Sequence, residues 1–267
     1  MLNTKVGFIG CGNIASAIII GAVESGYIKS EYLYLFDTDP CKLHSFNKLG
    51  VNFCSSAEEL VNICDYVFLT VKPQIYDVVL EQIKKFASEV CFVAVAAGIT
   101  INHIKDVLGF DAPVIRVMPN TPLMYGKGAS ALVKTSPVSD NQYEFIKGFF
   151  SCCGEAVDVC ESEINTVTAI SGSAPAYVMR FAKNLIEFAK SNGMSEDHAK
   201  TLVLQTVSGT AHMVSNSQLD IDTLIKNVTS PNGTTEAGLK SLDSSDFDSV
   251  LYKCLNDTYR RAQELTK

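Results

Sequence analysis

The chain has no surplus of positive charge: 22 Lys and Arg stand against 29 Asp and Glu, a formal net charge of -7. A nucleic-acid binder concentrates Lys and Arg into a stripe or patch, and none occurs here, so no nucleic-acid partner is expected. No long uninterrupted apolar run occurs either. Residues 6–23 are uncharged and follow Lys5, but four glycines together with Asn13 and Ser16 break the apolar character, and no A-x-A-like cleavage site follows. That excludes a signal peptide and a membrane span, and a cytoplasmic protein without a membrane partner is expected. The nine cysteines include no C-x-x-C pair and are odd in number. They read as small buried hydrophobes in a reducing compartment, and neither a disulfide framework nor a metal site is expected. The sequons at Asn227, Asn232 and Asn256 then go unused. Internal repeats and low-complexity tracts are also missing.

What is present suits a globular protein of one or two domains, since 267 residues at 47% hydrophobic content can bury a substantial core. Short apolar runs at 5–9, 32–36, 66–71, 90–96 and 114–118 alternate with helical patterns at 13–24, 40–49 and 76–86. Buried strands alternating with amphipathic helices predict a parallel sheet covered on both faces. The character changes near residue 161. Beyond Glu163 the spacing predicts helices over about 165–191, 195–214 and 246–265, with Asn192-Gly193 as a helix end and Ser195 as a helix start. The expected architecture is an α/β dinucleotide-binding domain over 1–161, followed by an all-α domain over 162–267. Ile164, Val167, Ile170, Tyr177 and Phe181 lie broadly on one side of the first long helix. So small a helical layer with that much apolar surface is expected to complete its core with a second copy.

The first strand runs into "GCGNIASAI", which places Gly10, Gly12 and Ala15 in G-x-G-x-x-A spacing at the opening of a helix. Glycine at 10 permits a tight turn, glycine at 12 lets the backbone approach a pyrophosphate, and the small residue at 15 lets helix and strand pack closely. The helix N-terminus then supplies N–H donors to the phosphates. The stretch Ile9, Gly10, Cys11, Gly12, Asn13 and Ile14 is therefore the expected dinucleotide cradle. Asp37 ends the second strand, where an acid commonly takes a ribose 2'-hydroxyl and repels a 2'-phosphate. This favours NADH, although Thr38, Lys42 and His44 offer partners for the phosphate of NADPH. "TVKPQ" (Thr70, Val71, Lys72, Pro73) and "AVAAGIT" (with Ala96, Ala97 and Gly98) end further strands, at the edge where ligands of open parallel sheets bind. "VMPNTP" is a comparable strand end, stiffened by Pro119 and Pro122.

Taken in order, "GCGNIASAI", "TVKPQ", "AVAAGIT", "RVMPNTP", "AISGSAPAYV" and "NVTSPNGTTEAGL" closely resemble pyrroline-5-carboxylate reductase over nearly the whole chain, from about residue 4 to 265. The resemblance implies NAD(P)H-dependent reduction of 1-pyrroline-5-carboxylate to L-proline, the last step of proline biosynthesis. It implies that Thr235 hydrogen-bonds the ring nitrogen and that Ser230, with backbone N–H groups near Gly233, Thr234 and Thr235, holds the carboxylate. Ser230 and Thr235 are thus the expected catalytic pair, and Asn227 joins the cofactor set. It implies further a homodimer with interleaved helical domains, and dimers gathered in rings of five. The residue types suit the role: Pro231 and Asn232-Gly233 form a tight turn that aims successive N–H groups into one concavity at a helix start. Where the family reads serine-proline-glycine-glycine this chain has Asn232 at the third place, and it has Ala174 for the glycine of serine-glycine-serine-glycine-proline. His44, His103, His198 and His212 all lie outside these motifs, which suits an imine protonated before hydride arrives.

Two other readings are open. Two-domain hydroxy-acid dehydrogenases share the architecture but carry a catalytic lysine nine residues after the motif glycine. Counted from Gly172 that place is Phe181, and Lys183 lies two further on. A non-catalytic dinucleotide sensor would have no need of both Ser230 and Thr235.

Overall fold

The computed structural model describes residues 4–267, which fall into two compact units. The residues up to Ser173 together with Thr258–Lys267 form the first, and Ala174–Asp257 the second.

The first unit is built on eight strands: β1 (Val6–Ile9), β2 (Leu33–Phe36), β3 (Asn52–Phe53), β4 (Tyr66–Leu69), β5 (Cys91–Ala94), β6 (Val114–Met118), β7 (Gly128–Lys134) and β8 (Gly154–Asp158). They lie in the order β3-β2-β1-β4-β5-β6-β7-β8. Every pairing is parallel except β6 with β7, which run antiparallel with Arg116 opposite Val133. The strands expected from the apolar runs all pair in parallel, and β7, which those runs did not include, is antiparallel to β6 because Pro119, Pro122 and the left-handed Gly126 turn the chain straight back, so no crossover helix intervenes. β2 and β4 flank β1 on opposite sides, so the direction of strand order switches at β1. In open α/β sheets that switch point leaves a crevice beyond the carboxyl ends of the strands.

Alternate side chains feed two cores. Val67 and Leu69 of β4 face one layer, with α3 (Ala57–Ile63), α4 (Tyr76–Ile83) and α5 (Ile101–Leu108). Phe68 faces the other, with α1 (Asn13–Glu24) and α6 (Asp140–Ser151). Phe8 and Phe68 stack there with ring centroids 4.3 Å apart, a geometry worth about 0.5–1.5 kcal/mol beyond area burial. The helices form for local reasons as well. In α1, Ala15, Ile18, Ile19 and Ala22 are buried at helical spacing and make one apolar stripe. The Thr100 hydroxyl caps α5 by accepting from His103 N–H, and Gly109 ends it in the left-handed region. Ser139 and Gln142 form a capping box on α6. The helix expected over 40–49 is shorter than its pattern: α2 (Pro40–Leu43) tightens into a 3-10 turn at His44–Phe46.

The long helix expected over 165–191 is interrupted. α7 (Ile164–Val167) passes into a π-turn at Thr168–Gly172, closed by Ser173 N–H donating to the Thr168 carbonyl at 2.9 Å, before α8 (Ala174–Ser191) begins. Such single π-turns are frequent at functional sites, and this one coincides with "AISGSAP".

The second unit holds α8, α9 (Glu196–Asn216), α10 (Ile221–Asn227), α11 (Thr234–Ser244) and the first half of α12 (Phe247–Leu265). It buries little of its own apolar surface: Phe188 is 69% exposed and Tyr252 71%, and Met179, Leu202, Leu204 and Val250 are exposed too. Apolar exposure on this scale marks a surface made for a partner.

Candidate active site

At the switch point the carboxyl ends of β1, β2 and β4 open into a cleft of about 370 Å³, within the size range of small-molecule sites. Ile9, Gly10, Gly12, Asn13, Asp37, Thr38, Thr70, Val71 and Lys72, all expected to hold a dinucleotide, line it together. Lys42, Ile75 and Gln82 also line it, and of these the sequence pointed only to Lys42. Gln82 lies on α4, and its place at the cleft depends on packing that no motif records. Cys11, Ile14, Pro73 and Ala96–Gly98 fall outside this lining, and Asn227 belongs to the second unit.

The loop after β1 is held tightly. Gly10 sits at φ +93, and a Cβ there would meet Val71 Cγ1 at 2.8 Å, so both backbone and space demand glycine. Its N–H donates to the Phe36 carbonyl at 2.8 Å, while Thr70 Oγ1 donates to the Gly10 carbonyl at 2.6 Å. Gly12 differs: its φ is -78, and a Cβ would meet nothing within 4 Å. What a side chain at 12 would occupy is the cleft itself. Gly12 is also the N-cap of α1 and provides no side-chain cap. The first turn of a twelve-residue helix thus presents its N–H groups without a side-chain acceptor, an arrangement suited to phosphate. These features fit a dinucleotide.

Asp37 is more deeply engaged than a ribose clamp requires. Its side chain is only 5% exposed. One oxygen accepts from Cys11 N–H at 2.7 Å, the other from Asp39 N–H at 2.9 Å, and Lys42 Nζ lies 3.2 Å from both. Burial pushes the carboxyl pKa up, but the Cys11 and Asp39 N–H groups and Lys42 outweigh it and hold the pKa below its ordinary value. Asp37 therefore locks the loop after β1 to the end of β2, and its charge is met by Lys42. The neighbouring Cys11 thiol is pushed up to about 12, by burial first and by Asp37 second, which leaves it an inert core group.

On the "VMPNTP" segment, Asn120 Nδ2 donates to Ser171 Oγ at 3.2 Å and Asn120 Oδ1 accepts from Ala129 N–H at 2.9 Å. This ties the strand end to the π-turn. A Cβ on Gly172 would lie 2.5 Å from Met118 Cε, so the methionine side chain packs directly against this glycine.

The expected substrate residues lie on the second unit. Ser230 and Pro231 lead into Asn232, which takes the left-handed conformation at φ +56, and Gly233 N–H closes the turn on the Ser230 carbonyl at 2.9 Å. Asparagine tolerates that conformation without a severe steric cost, so the turn forms without the family's glycine. Gly233 is the N-cap of α11, again with no side-chain cap, and Thr234 and Thr235 make its exposed first turn. Glu236 turns back to accept from Asn232 N–H at 2.6 Å, bracing the turn from behind.

Among the described residues no cluster of three or more His, Cys, Asp or Glu could hold a metal ion, and no helix is long and apolar enough to cross a membrane.

Known proteins with the same features are numerous. A family model for the dimerisation region of pyrroline-5-carboxylate reductase matches residues 161–265, and one for coenzyme F420-dependent NADP oxidoreductases matches residues 5–98. Pyrroline-5-carboxylate reductase 2 of Bacillus subtilis is 34% identical over 263 residues, covering 98% of this chain and 95% of its own. The structure of a pyrroline carboxylate reductase from Plasmodium falciparum, with NADP bound, superposes with a TM-score of 0.91 at 31% identity and covers both chains fully. That of a pyrroline-5-carboxylate reductase from Coxiella burnetii gives 0.92 at 32% identity over 99% of each chain. With the likeness extending over the whole length, the chain belongs to the pyrroline-5-carboxylate reductase family.

Proposed function

We propose that this protein reduces 1-pyrroline-5-carboxylate to L-proline with NADH or NADPH, the closing step of proline biosynthesis. The observation that carries the reading is the turn at Ser230–Thr235: a serine, a left-handed asparagine and two threonines open a helix that has no side-chain cap. N–H groups at such an end favour a carboxylate by roughly 0.3–1 kcal/mol, and more when partly buried. Ser230 and the N–H groups of Gly233, Thr234 and Thr235 hold the substrate carboxylate, and the Thr235 hydroxyl hydrogen-bonds the ring nitrogen.

The chemistry asks little more of the side chains. A cyclic imine takes up its proton from water before reduction, so no histidine base is needed. A bound NAD(P)H would supply the hydride that reduces the protonated imine to the secondary amine. The protein's task is orientation. Gly10 to Ile14 seat the pyrophosphate, Thr70 to Pro73 and Ala96 to Gly98 border the cofactor at the strand ends, and Asn227 adds a polar contact. Because Lys42 compensates Asp37, both dinucleotides are accepted, with Lys42 and Thr38 as partners for a 2'-phosphate.

In this reading residues 1–161 serve as the dinucleotide-binding domain and 162–267 as the substrate-binding and dimerisation domain of a cytoplasmic homodimer. The exposed apolar face of the second unit supports the dimer. Assembly of five dimers into a decamer is the further expectation from the family, and the sedimentation mass decides it. The reading of the turn is tested by Thr235→Ala. Turnover of 1-pyrroline-5-carboxylate should fall at least tenfold, about the loss of one buried hydrogen bond, with dinucleotide affinity unchanged. Equal loss of dinucleotide binding would place the turn in the wrong role.

A further inference from the structure

The loop that follows β5 is fastened by a segment more than 160 positions away in the chain. Lys267 N–H donates to the Gly98 carbonyl at 2.7 Å, and Thr100 Oγ1 donates to the Lys267 carbonyl at 2.7 Å. The Lys267 side chain reaches Asp77 of α4, with Nζ to Oδ2 at 2.9 Å, while the other Asp77 oxygen meets His103 Nε2 of α5 at 2.7 Å. Gly98 is shaped for this contact. It lies at φ +77, and a Cβ on it would stand 2.4 Å from the Leu265 carbonyl oxygen and 3.0 Å from the carbonyl carbon. Its lack of a side chain therefore has a cause inside the protein, independent of any ligand. All these residues belong to the first unit.

From these contacts we propose that Leu265–Lys267 is a positioning strap for the Ala96–Thr100 loop, fixing the backbone that borders the bound dinucleotide. The proposal rests on the reading that Ala96–Gly98 faces the cofactor. The strap itself touches no reacting atom. Ala96 and Ile99 anchor the loop in the core, but Ala97 is exposed and the backbone at Gly98 has no side chain to fix it. Two backbone-directed hydrogen bonds and one ion pair hold its carbonyl and its cap in register with α5. Without them the loop samples positions that do not match the cofactor, so dinucleotide binding carries an added ordering cost while chemistry in the fully bound complex is unaltered.

The test is Lys267→Pro, which removes both the N–H that serves Gly98 and the ammonium that serves Asp77, compared with Lys267→Arg, which keeps the N–H and a positive charge. Each purified variant is assayed with saturating imine and varied NADH or NADPH, and with saturating dinucleotide and varied imine. The expected result for Lys267→Pro is a KM for dinucleotide raised roughly tenfold, the equivalent of one or two net hydrogen bonds. Its kcat and its KM for the imine should stay within twofold, and Lys267→Arg should behave as the parent protein. An unchanged dinucleotide KM, or a parallel fall of kcat, imine KM and Tm, overturns the strap as a positioning element. Should Lys267→Pro fail to fold, Asp77→Ala, which removes the ammonium's partner, is expected to give the same split at a few-fold, and an unchanged dinucleotide KM overturns the proposal equally. Ala97→Leu separates the two ideas. If it leaves dinucleotide KM untouched, the loop does not border the cofactor and both fail; if it raises that KM while Lys267→Pro does not, only the strap fails.

Discussion

Arg116 of β6 offers a quantitative test of how the ligand-binding edge of the sheet is held. Its side chain is 3% exposed, and Nη1 donates to Glu161 Oε1 at 2.8 Å. Its Nε and Nη2 are buried without a hydrogen-bond partner among the described residues. The same Glu161 oxygen accepts from Ile101 N–H at 2.9 Å, at the start of α5 and just beyond the Ala96–Thr100 loop. Glu161→Ala therefore strands a buried guanidinium whose acceptor among the described residues is Glu161, and it orphans a helix N–H as well. Breaking one side of such a pair costs about 3–5 kcal/mol. At roughly 2–4 °C per kcal/mol for a chain of this size, the first unit should melt about 6–20 °C lower. The double variant Arg116→Met with Glu161→Ala removes the charge along with its partner and should recover most of that loss. The assay is thermal unfolding followed by near-ultraviolet circular dichroism, with denaturant midpoints as a check. A loss below about 1 kcal/mol in Glu161→Ala, or a double variant as unstable as the sum of the singles, would refute the reasoning.

Other consequences are sharper at the cofactor site. Gly10→Ala, which forces a Cβ to 2.8 Å from Val71 Cγ1 at a positive φ, should abolish detectable dinucleotide binding by fluorescence titration at micromolar protein; near-normal binding would mean the loop is not the cradle. Asp37 has a depressed pKa, so the stability it adds is fully present above its unfolded value near 3.9 and is lost as pH falls through the lower folded value. Asp37→Asn should therefore flatten the fall in Tm on acidification below about pH 4 relative to the parent, measured as Tm against pH; an identical acid limb would contradict the assignment. Lys42→Ala should lower kcat/KM for NADPH about tenfold or more, as expected for losing a hydrogen bond to a charged group, and change that for NADH little. An unchanged ratio of the two efficiencies would remove Lys42 from the 2'-phosphate.

Where the fold was legible in the sequence, local chemistry explains why. Strands β1, β2, β4, β5 and β6 are continuous apolar runs because helices cover both faces of the sheet, and α1 shows its buried stripe in every fourth or third residue. β7 escaped because its pattern, "GASALVK", begins with small residues and pairs antiparallel through a turn, outside the strand-helix alternation. The two-residue β3 is too short to carry a pattern. The π-turn at Thr168–Gly172 has helical spacing on both sides, so periodicity alone joins it into one helix. At the site, residues held by nearby turns were readable: Gly10, Asp37 and the Asn232-Gly233 turn each answer to a local steric or hydrogen-bonding demand. Contacts that span long stretches of chain were not, among them the Arg116–Glu161 pair and the Lys267 strap on Gly98. The Leu265 carbonyl that a Cβ at Gly98 would meet is likewise a contact that no local pattern records.

The most direct test of the account is steady-state reduction of 1-pyrroline-5-carboxylate by the purified protein with NADH and NADPH in parallel, following loss of reduced-cofactor absorbance and formation of proline. Turnover with both cofactors, yielding one proline per cofactor oxidised, is the predicted result. Binding of both cofactors with no imine-dependent oxidation of either would contradict it and leave a dinucleotide-binding protein with another substrate or none.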